Sequence, residues 1–246
     1  MRFFFLASFF GLLHVFSSEV FAFIDDSTKT VIRKTSDFTI TGDGKSKSWE
    51  KTEWIKIPVL ESAGDSSSTL VKLLYSDTGL YFLFQCQDQK LTATIEKDFG
   101  ALFNEDVVEV FLWPDPSVPI YFEYELSPLN YELPLLIPNI NGRLNGWLPA
   151  FYERKQRTQH ATTIQGGTRK SLASVTGWTA EFFIPYRLLS PLVSASPKSG
   201  DRWRGNLYRI DYDKVYTTWT WSKVSVYPNR KASFHEYQKF GTWIFE

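Results

Sequence analysis

The chain reads as all-β: an antiparallel β-sandwich of the jelly-roll kind, with one or two short helical turns. Three observations predict this. Short runs rich in aromatic and β-branched residues recur along the sequence, many of them alternating with period two. Clusters of Ser, Asp, Asn, Gly and Pro separate these runs. No stretch sustains a 3.6-residue apolar rhythm, and no internal repeat or linker divides residues 23–246.

Taken in order, Arg2 precedes an apolar run from Phe3 to Phe16, and Val20-Phe21-Ala22 follows. This reads as a secretory signal peptide, residues 1–22, cut after Ala22; the run is too short to span a bilayer as a helix. A retained anchor or a buried core segment is the competing reading. Residues 23–246 then form one domain, since sandwiches of about 200 residues commonly stay single. It would be secreted, periplasmic or extracellular, with no membrane span after signal removal. Thr30 to Lys34 and Phe38 to Thr41 read as short strands, and Ser48 to Ile55 as a helical turn plugged by Trp49. Leu70 to Tyr75 and Leu80 to Gln85 flank Ser76-Asp77-Thr78-Gly79, which is a hairpin signal. Leu80 to Phe84 is apolar on both faces, as in a strand covered on both sides.

Val107 to Trp113 puts Val107, Glu109, Phe111 and Trp113 on one face. Ile120 to Leu126 puts Tyr121, Glu123 and Glu125 on one face, with Phe122, Tyr124 and Leu126 on the other. The Pro-bearing stretch Pro134 to Pro149, with Asn141-Gly142, Asn145-Gly146 and Trp147, reads as a long irregular excursion. Further strands fall at Ala161 to Ile164, Gly177 to Pro185, Arg204 to Asp211, Tyr216 to Ser222 and Thr242 to Phe245. Pro185 to Leu189 reads as a single helical turn.

The 27 basic and 27 acidic side chains balance, so bulk electrostatics favours neither nucleic acid nor acidic membranes. The lone cysteine, Cys86, cannot form an internal disulfide and sits in an apolar run, as a buried, inert thiol would. The 21 Phe, 12 Tyr and 9 Trp exceed ordinary use, and such an excess serves core packing or ligand platforms. There is no Gly-x-Ser-x-Gly elbow, P-loop, dinucleotide fingerprint, His-Glu-x-x-His or cysteine pair. Beyond the signal only His160 and His235 remain as imidazole bases. Carboxylate pairs for glycoside cleavage stay open, because spacing in sequence does not fix spacing in space. Asp98, Glu105 and Asp106 could offer oxygens to calcium, though no loop signature accompanies them.

Two segments echo each other: 103–111, Phe-Asn-Glu-Asp-Val-Val-Glu-Val-Phe, and the stretch from Ser233 to Phe245 that opens Ser-Phe-His-Glu-Tyr. Together they suggest an aromatic clamp on a sandwich, the hardware of sugar binding. Glu109 interrupts an apolar strand face and needs a partner there, either sugar hydroxyls or an arginine such as Arg204 or Arg209. Arg204, Asn206, Tyr208 and Ile210 share one face of their strand; Asn206 and Tyr208 could donate to hydroxyls. Arg209 and Asp211 share the other face, with the spacing of a structural pair. His235 is either a satisfied histidine or a ligand contact. Trp219 and Trp221 share a face, as sheet-core tryptophans do.

In this order the pieces resemble the family 9 carbohydrate-binding modules, within the DOMON-like β-sandwiches, over roughly Phe38 to Glu246. The matching pieces are Trp49, Tyr75-Ser76-Asp77-Thr78-Gly79-Leu80-Tyr81, Asp106-Val107-Val108-Glu109-Val110-Phe111, Gly177-Trp178-Thr179-Ala180-Glu181 with Ile184-Pro185, Trp221-Ser222 and Phe240-Gly241. The resemblance implies a non-catalytic domain that binds an oligo- or polysaccharide, with Phe103 and Phe234 as plates, Glu109 as acceptor and a polar residue near Tyr208. It departs at both plates, which are tryptophans in the family, and at Glu123, which falls near a family arginine. Calcium occurs in family members, but its ligands do not transfer here residue by residue. Support of polysaccharide catabolism beside a glycoside hydrolase partner is the functional expectation. The alternatives are a degenerate sandwich used for protein interaction or envelope scaffolding, a glycoside hydrolase, and a haem-binding DOMON-like domain. Haem would need the His160/His235 pair, because Met1 leaves with the signal.

Overall fold

The computed structural model describes residues 27–61, 67–140, 143–153, 156–190, 192–213, 216–226 and 233–246. The signal peptide expected at 1–22 lies outside them. The strands are β1 (Lys29–Lys34), β2 (Ile55–Lys56), β3 (Val59–Glu61), β4 (Thr69–Tyr75), β5 (Gly79–Gln87), β6 (Val107–Trp113), β7 (Ile120–Leu126), β8 (Glu132–Ile140), β9 (Arg143–Leu144), β10 (Leu148–Pro149), β11 (Gln159–Gln165), β12 (Gly177–Pro185), β13 (Arg202–Asp211), β14 (Thr217–Thr220) and β15 (Gly241–Phe245). Among the described residues the helical segments are short 3-10 turns, such as Lys47–Lys51, Leu102–Asn104 and Tyr237–Lys239. Among the described residues no helix is long and apolar enough to cross a membrane.

Two sheets share one strand. The first runs β10-β8-β7-β6-β13-β15-β1, and the second runs β1-β4-β5-β12-β11. β1 turns the corner between them: its first residues pair with β15, and Arg33 and Lys34 pair with β4. Both of those pairings are parallel, whereas the sequence predicted antiparallel strands throughout. The other strand pairs are antiparallel, among them the predicted β4–β5 hairpin, in register from Thr69 opposite Cys86 to Tyr75 opposite Leu80.

Alternation along each strand fills the space between the sheets. Val110, Leu112, Tyr124, Leu207, Trp219 and Trp243 come from the first sheet, and Phe82, Phe84, Cys86, Trp178 and Phe182 from the second. Rings meet across the gap: Tyr124 lies 4.8 Å from Phe182, and Trp243 lies 6.0 Å from Phe82. Each such ring removed from water contributes about 1.5–3 kcal/mol. Trp219 and Trp221 both face this core, and burial pushes the Cys86 thiol up to about 12, so it is inert as expected.

Two sequence expectations are corrected. Phe38 to Thr41 is not a strand. It lies across the outer face of the second sheet, where Phe38 stacks on Tyr81 at 4.2 Å and Ile40 joins the same cluster. Its backbone bonds to a side chain rather than to a strand: Glu181 accepts Thr41 N–H at 3.0 Å, Gly42 N–H at 2.6 Å and Trp49 Nε1–H at 2.8 Å. Gly42 completes that turn at φ +84°, and a Cβ there would press on Ala161 at 2.8 Å. The second correction concerns Pro134 to Pro149. Most of its first half is strand β8, with the short β9 and β10 after it. The prolines are tolerated because their missing N–H groups face the short edge segments and not β7. Pro134 O accepts from Ala150 N at 2.9 Å on that side, and Pro138 O from Asn145 N at 3.0 Å. The turn at Pro185 to Leu189 consists of successive hydrogen-bonded turns, such as Leu188 N to Pro185 O at 2.9 Å, and not a regular helix.

Candidate functional site: an aromatic cleft over buried glutamates

The outward face of the first sheet carries Glu109 and Phe111 from β6, Tyr121, Glu123 and Glu125 from β7, Leu135 and Ile137 from β8, and Tyr208 and Ile210 from β13. This face is not open to solvent. Residues 233–240 fold over one part of it, bringing Phe234 and Phe240 into its apolar cluster. What stays uncovered is a cleft of about 370 Å³. Phe103, Trp147, Tyr212, Tyr216 and Phe234 wall it, and Glu109 and Glu123 reach its floor.

The walls differ in exposure. Trp147 is 54% exposed and meets the partly buried Phe103 edge-on, with ring centres 6.0 Å apart at 73°. Phe234 lies flat on Tyr208, 4.1 Å away at 8°, and is only 7% exposed. It therefore lines the cleft but is not the freely exposed plate implied by the resemblance. Tyr208 and Asn206 sit one layer beneath. The Tyr208 hydroxyl donates to Phe234 O at 2.8 Å, and Asn206 Nδ2 donates to the Tyr208 hydroxyl at 2.7 Å and to Ser222 O at 2.9 Å. Both are fully buried, so they brace Phe234 from below and do not line the cleft. His235 does line it. Its Nδ1 meets the Tyr121 hydroxyl at 2.5 Å, and its ring stacks 5.3 Å from Phe111. Burial pushes His235 down to about 4, so it is neutral near pH 7.

The floor is acidic. Glu109 faces Glu125 directly across β6 and β7, and Glu123 follows two residues away on the same face. All three are at most 4% exposed, and one oxygen from each lies within 4.8 Å of the others. Burial raises Glu123 to about 7. Burial and the neighbouring carboxylates hold Glu109 and Glu125 well above the ordinary range. Neither candidate arginine answers Glu109. Arg204 Nη1 donates to Thr242 Oγ1 at 2.8 Å. Arg209 points between the sheets, where it pairs with Asp211 at 2.7 Å and Asp88 at 3.2 Å.

The other sequence candidates fall elsewhere. Glu105 accepts Ile95 N–H at 2.8 Å and Asp106 accepts Tyr212 N–H at 2.8 Å, while Asp98 accepts Glu132 N–H at 3.1 Å. These three tie loops down and are not gathered into one site. His160 engages Asn130 at 3.0 Å and Glu132 at 3.4 Å, with partners unlike those of His235, so the histidine pair that haem would need is not assembled. Trp147, Tyr212 and Tyr216 were not singled out in the sequence as site residues. An aromatic beside Gly146 in a polar, Pro-bearing stretch was the available signal for Trp147. The Glu-x-Glu of β7, in phase with Glu109, was the signal for the floor.

A walled aromatic cleft on the outer face of a β-sandwich, with acceptors at its base, defines a small-ligand binding domain. The chain belongs to the carbohydrate family 9 binding domain-like family, whose model matches residues 40–245. No curated protein matches the chain. Among solved structures, a candidate carbohydrate-binding protein from Bacteroides uniformis ATCC 8492 is similar over 89% of this chain and 99% of its own, at TM-score 0.74 and 16% identity. A family 9 module from Caldicellulosiruptor kristjanssonii in complex with cellotriose is similar over 89% of this chain and 94% of its own, at TM-score 0.60 and 16% identity. The same organism's module in complex with glucose gives TM-score 0.60 at 17% identity, over 89% of this chain and 96% of its own. At these identities the likeness concerns the fold.

Proposed function

We propose that the cleft binds a carbohydrate, as a single pyranose or the end of a short glycan. The observation that carries this is the wall of Phe103 and Trp147 standing over acceptor oxygens of Glu109 and Glu123. A pyranose presents C–H groups on one face and hydroxyls on its rim. The aromatic faces take the first by stacking, and the carboxylates accept from the second. The volume lies at the small end of the ~300–1,000 Å³ usual for ligand sites, which suits one or two rings. Phe234 and His235 close one side, and Tyr208 with Asn206 fixes Phe234 from beneath. The relatives from Caldicellulosiruptor kristjanssonii, held with cellotriose and glucose, support this ligand class. In this reading the domain is secreted after loss of residues 1–22, is non-catalytic, and serves polysaccharide breakdown beside a glycoside hydrolase. Affinity would be micromolar to millimolar, since few ligand atoms are buried.

Calorimetric titration with glucose, cello-oligosaccharides and other glycans tests the reading. Saturable heat, with affinity weakened about tenfold by Trp147→Ala in a folded sample, is the expected result. No heat with any glycan would overturn it. Release of reducing sugar, abolished by Glu109→Gln, would turn the same cleft into a hydrolase site.

A further inference from the structure

The glutamate floor lacks what the other buried acids among the described residues have. Glu181 accepts three N–H groups, and Glu132 accepts the Tyr124 hydroxyl at 2.8 Å and the Thr158 hydroxyl. Asp106 accepts backbone N–H groups from Thr92 at 2.5 Å and Tyr212 at 2.8 Å, and Asp88 and Asp211 hold Arg209. By contrast, Glu123 Oε2 and both Glu125 oxygens are buried without a hydrogen-bond partner among the described residues. Glu125 is fully buried. Among the described residues the one basic group within 4.0 Å is His235, whose Nδ1 already meets the Tyr121 hydroxyl. The Phe103 backbone and a shared hydrogen bond with Glu123 act on Glu125, but no cation neutralises the three packed carboxyl groups, which favours a bound one.

We propose that Glu109, Glu123 and Glu125 together bind a divalent cation, calcium foremost, at the floor of the cleft. The oxygens lie within 4.8 Å of one another, a spread that one ion with metal–oxygen distances of ~2.3–2.6 Å can bridge. An all-carboxylate set selects hard ions over zinc or copper, and calcium tolerates irregular geometry better than magnesium. Depth separates a bare ion from a larger cation. Glu109 and Glu123 line the cleft, but Glu125 does not, so an ammonium carried on a sugar ring would meet two of the three oxygens and a free ion all of them. Strand pairing sets the site: Glu109 and Glu125 are register partners in the middle of β6 and β7. The open side of the ion would face the cleft, where water or ligand hydroxyls complete its shell.

This inference does not rest on the glycan reading, because the ion would bind with the cleft empty. The experiment titrates the chelator-stripped full chain with CaCl₂, MgCl₂ and MnCl₂, followed by calorimetry and melting temperature, with no sugar present. The expected result is saturable calcium binding with Kd on the order of 10⁻⁴ M and a raised melting temperature. Glu125→Gln should weaken it about tenfold or more, while Asp213→Asn, in a second group of carboxylates made by Asp88, Asp211 and Asp213, leaves it unchanged. If Glu125→Gln does not fold, Glu123→Gln carries the same expectation. No saturable heat from folded protein, binding unaffected in the glutamate variants, or binding lost in Asp213→Asn would each overturn the proposal. Heat with glucosamine but with none of the three ions would overturn it as well. A sugar titration that fails beside a metal titration that succeeds sinks the glycan reading alone.

Discussion

Two acidic clusters lie among the described residues, and they are built in opposite ways. Asp88 and Asp211 meet between the sheets around Arg209, whose guanidinium also donates to Gln87 O at 2.7 Å and lies 4.5 Å over the Trp219 ring. Asp88 also accepts Trp178 Nε1–H at 2.9 Å, so that cluster brings its own cation and its own donors. Glu109, Glu123 and Glu125 meet on the outer face of the first sheet with no cation of their own among the described residues. Asp211 on β13 and Glu109 on its neighbour β6 point to opposite faces of the first sheet by period two, and Asp88 reaches Arg209 from the end of β5 in the second sheet. A closed acidic cluster is a structural part. An open one, at the base of a cleft, is where a ligand completes what the chain leaves unpaired.

The contrast can be broken in a definite order. Arg209→Met should have the largest effect, because it strands two buried aspartates; a loss of about 3–5 kcal/mol in denaturant unfolding is expected. Phe234→Ala comes next. It removes a ring that is buried on Tyr208, so about 3 kcal/mol of stability should go together with any sugar binding. An unchanged melting temperature would mean that Phe234 is an exposed plate after all. The third test is pH. Burial pushes Asp88 up to about 7, outweighing Arg209, so its protonated form is favoured in the folded state. Its contribution is therefore full below the unfolded value near 4 and is lost as pH rises through about 7. Asp88→Asn should flatten the pH dependence of unfolding across that window, by roughly 1–3 kcal/mol. Glu125→Gln, without divalent ions, should differ in sign from Arg209→Met: stability holds within about 1 kcal/mol or rises, because a neutral amide replaces a carboxyl whose ionised form burial and its neighbours already disfavour. Trp147→Ala should change stability least, within about 0.5 kcal/mol, yet weaken sugar binding about tenfold.

Much of this was legible in the residues. The runs read as β6, β7 and β12 matched the observed strands to the residue, because uninterrupted alternation or apolarity bounded by turn residues leaves little choice of register. The same alternation put Glu123 and Glu125 together on one face of β7 and placed Arg209 beside Asp211 on one face of β13, though only the strand pairing shows which faces are outward. Local signals failed where the partner was distant. Phe38 to Thr41 looks like a strand on propensity, but its hydrogen bonds go to Glu181, some 140 residues away. Pro134 and Pro138 look like breakers until β8 is seen beside an edge, where a missing N–H costs little. Tyr208 and Asn206 have the right face and chemistry for ligand contact, yet residues 233–240 close over them. No periodicity within β13 could reveal that cover.

The strand shared by both sheets bears on when this domain can form. β1 finds its partners in β4 and in β15, and Arg33 and Glu246, bonded at 3.3 Å, are 213 positions apart. The corner that locks the sandwich therefore waits on the far end of the chain. A ribosome that has made everything up to β14 holds two sheets with no clasp, their aromatic inner faces still able to part. Closure is a single late event with high contact order, which predicts slow folding and a domain that stays pliable until β15 emerges.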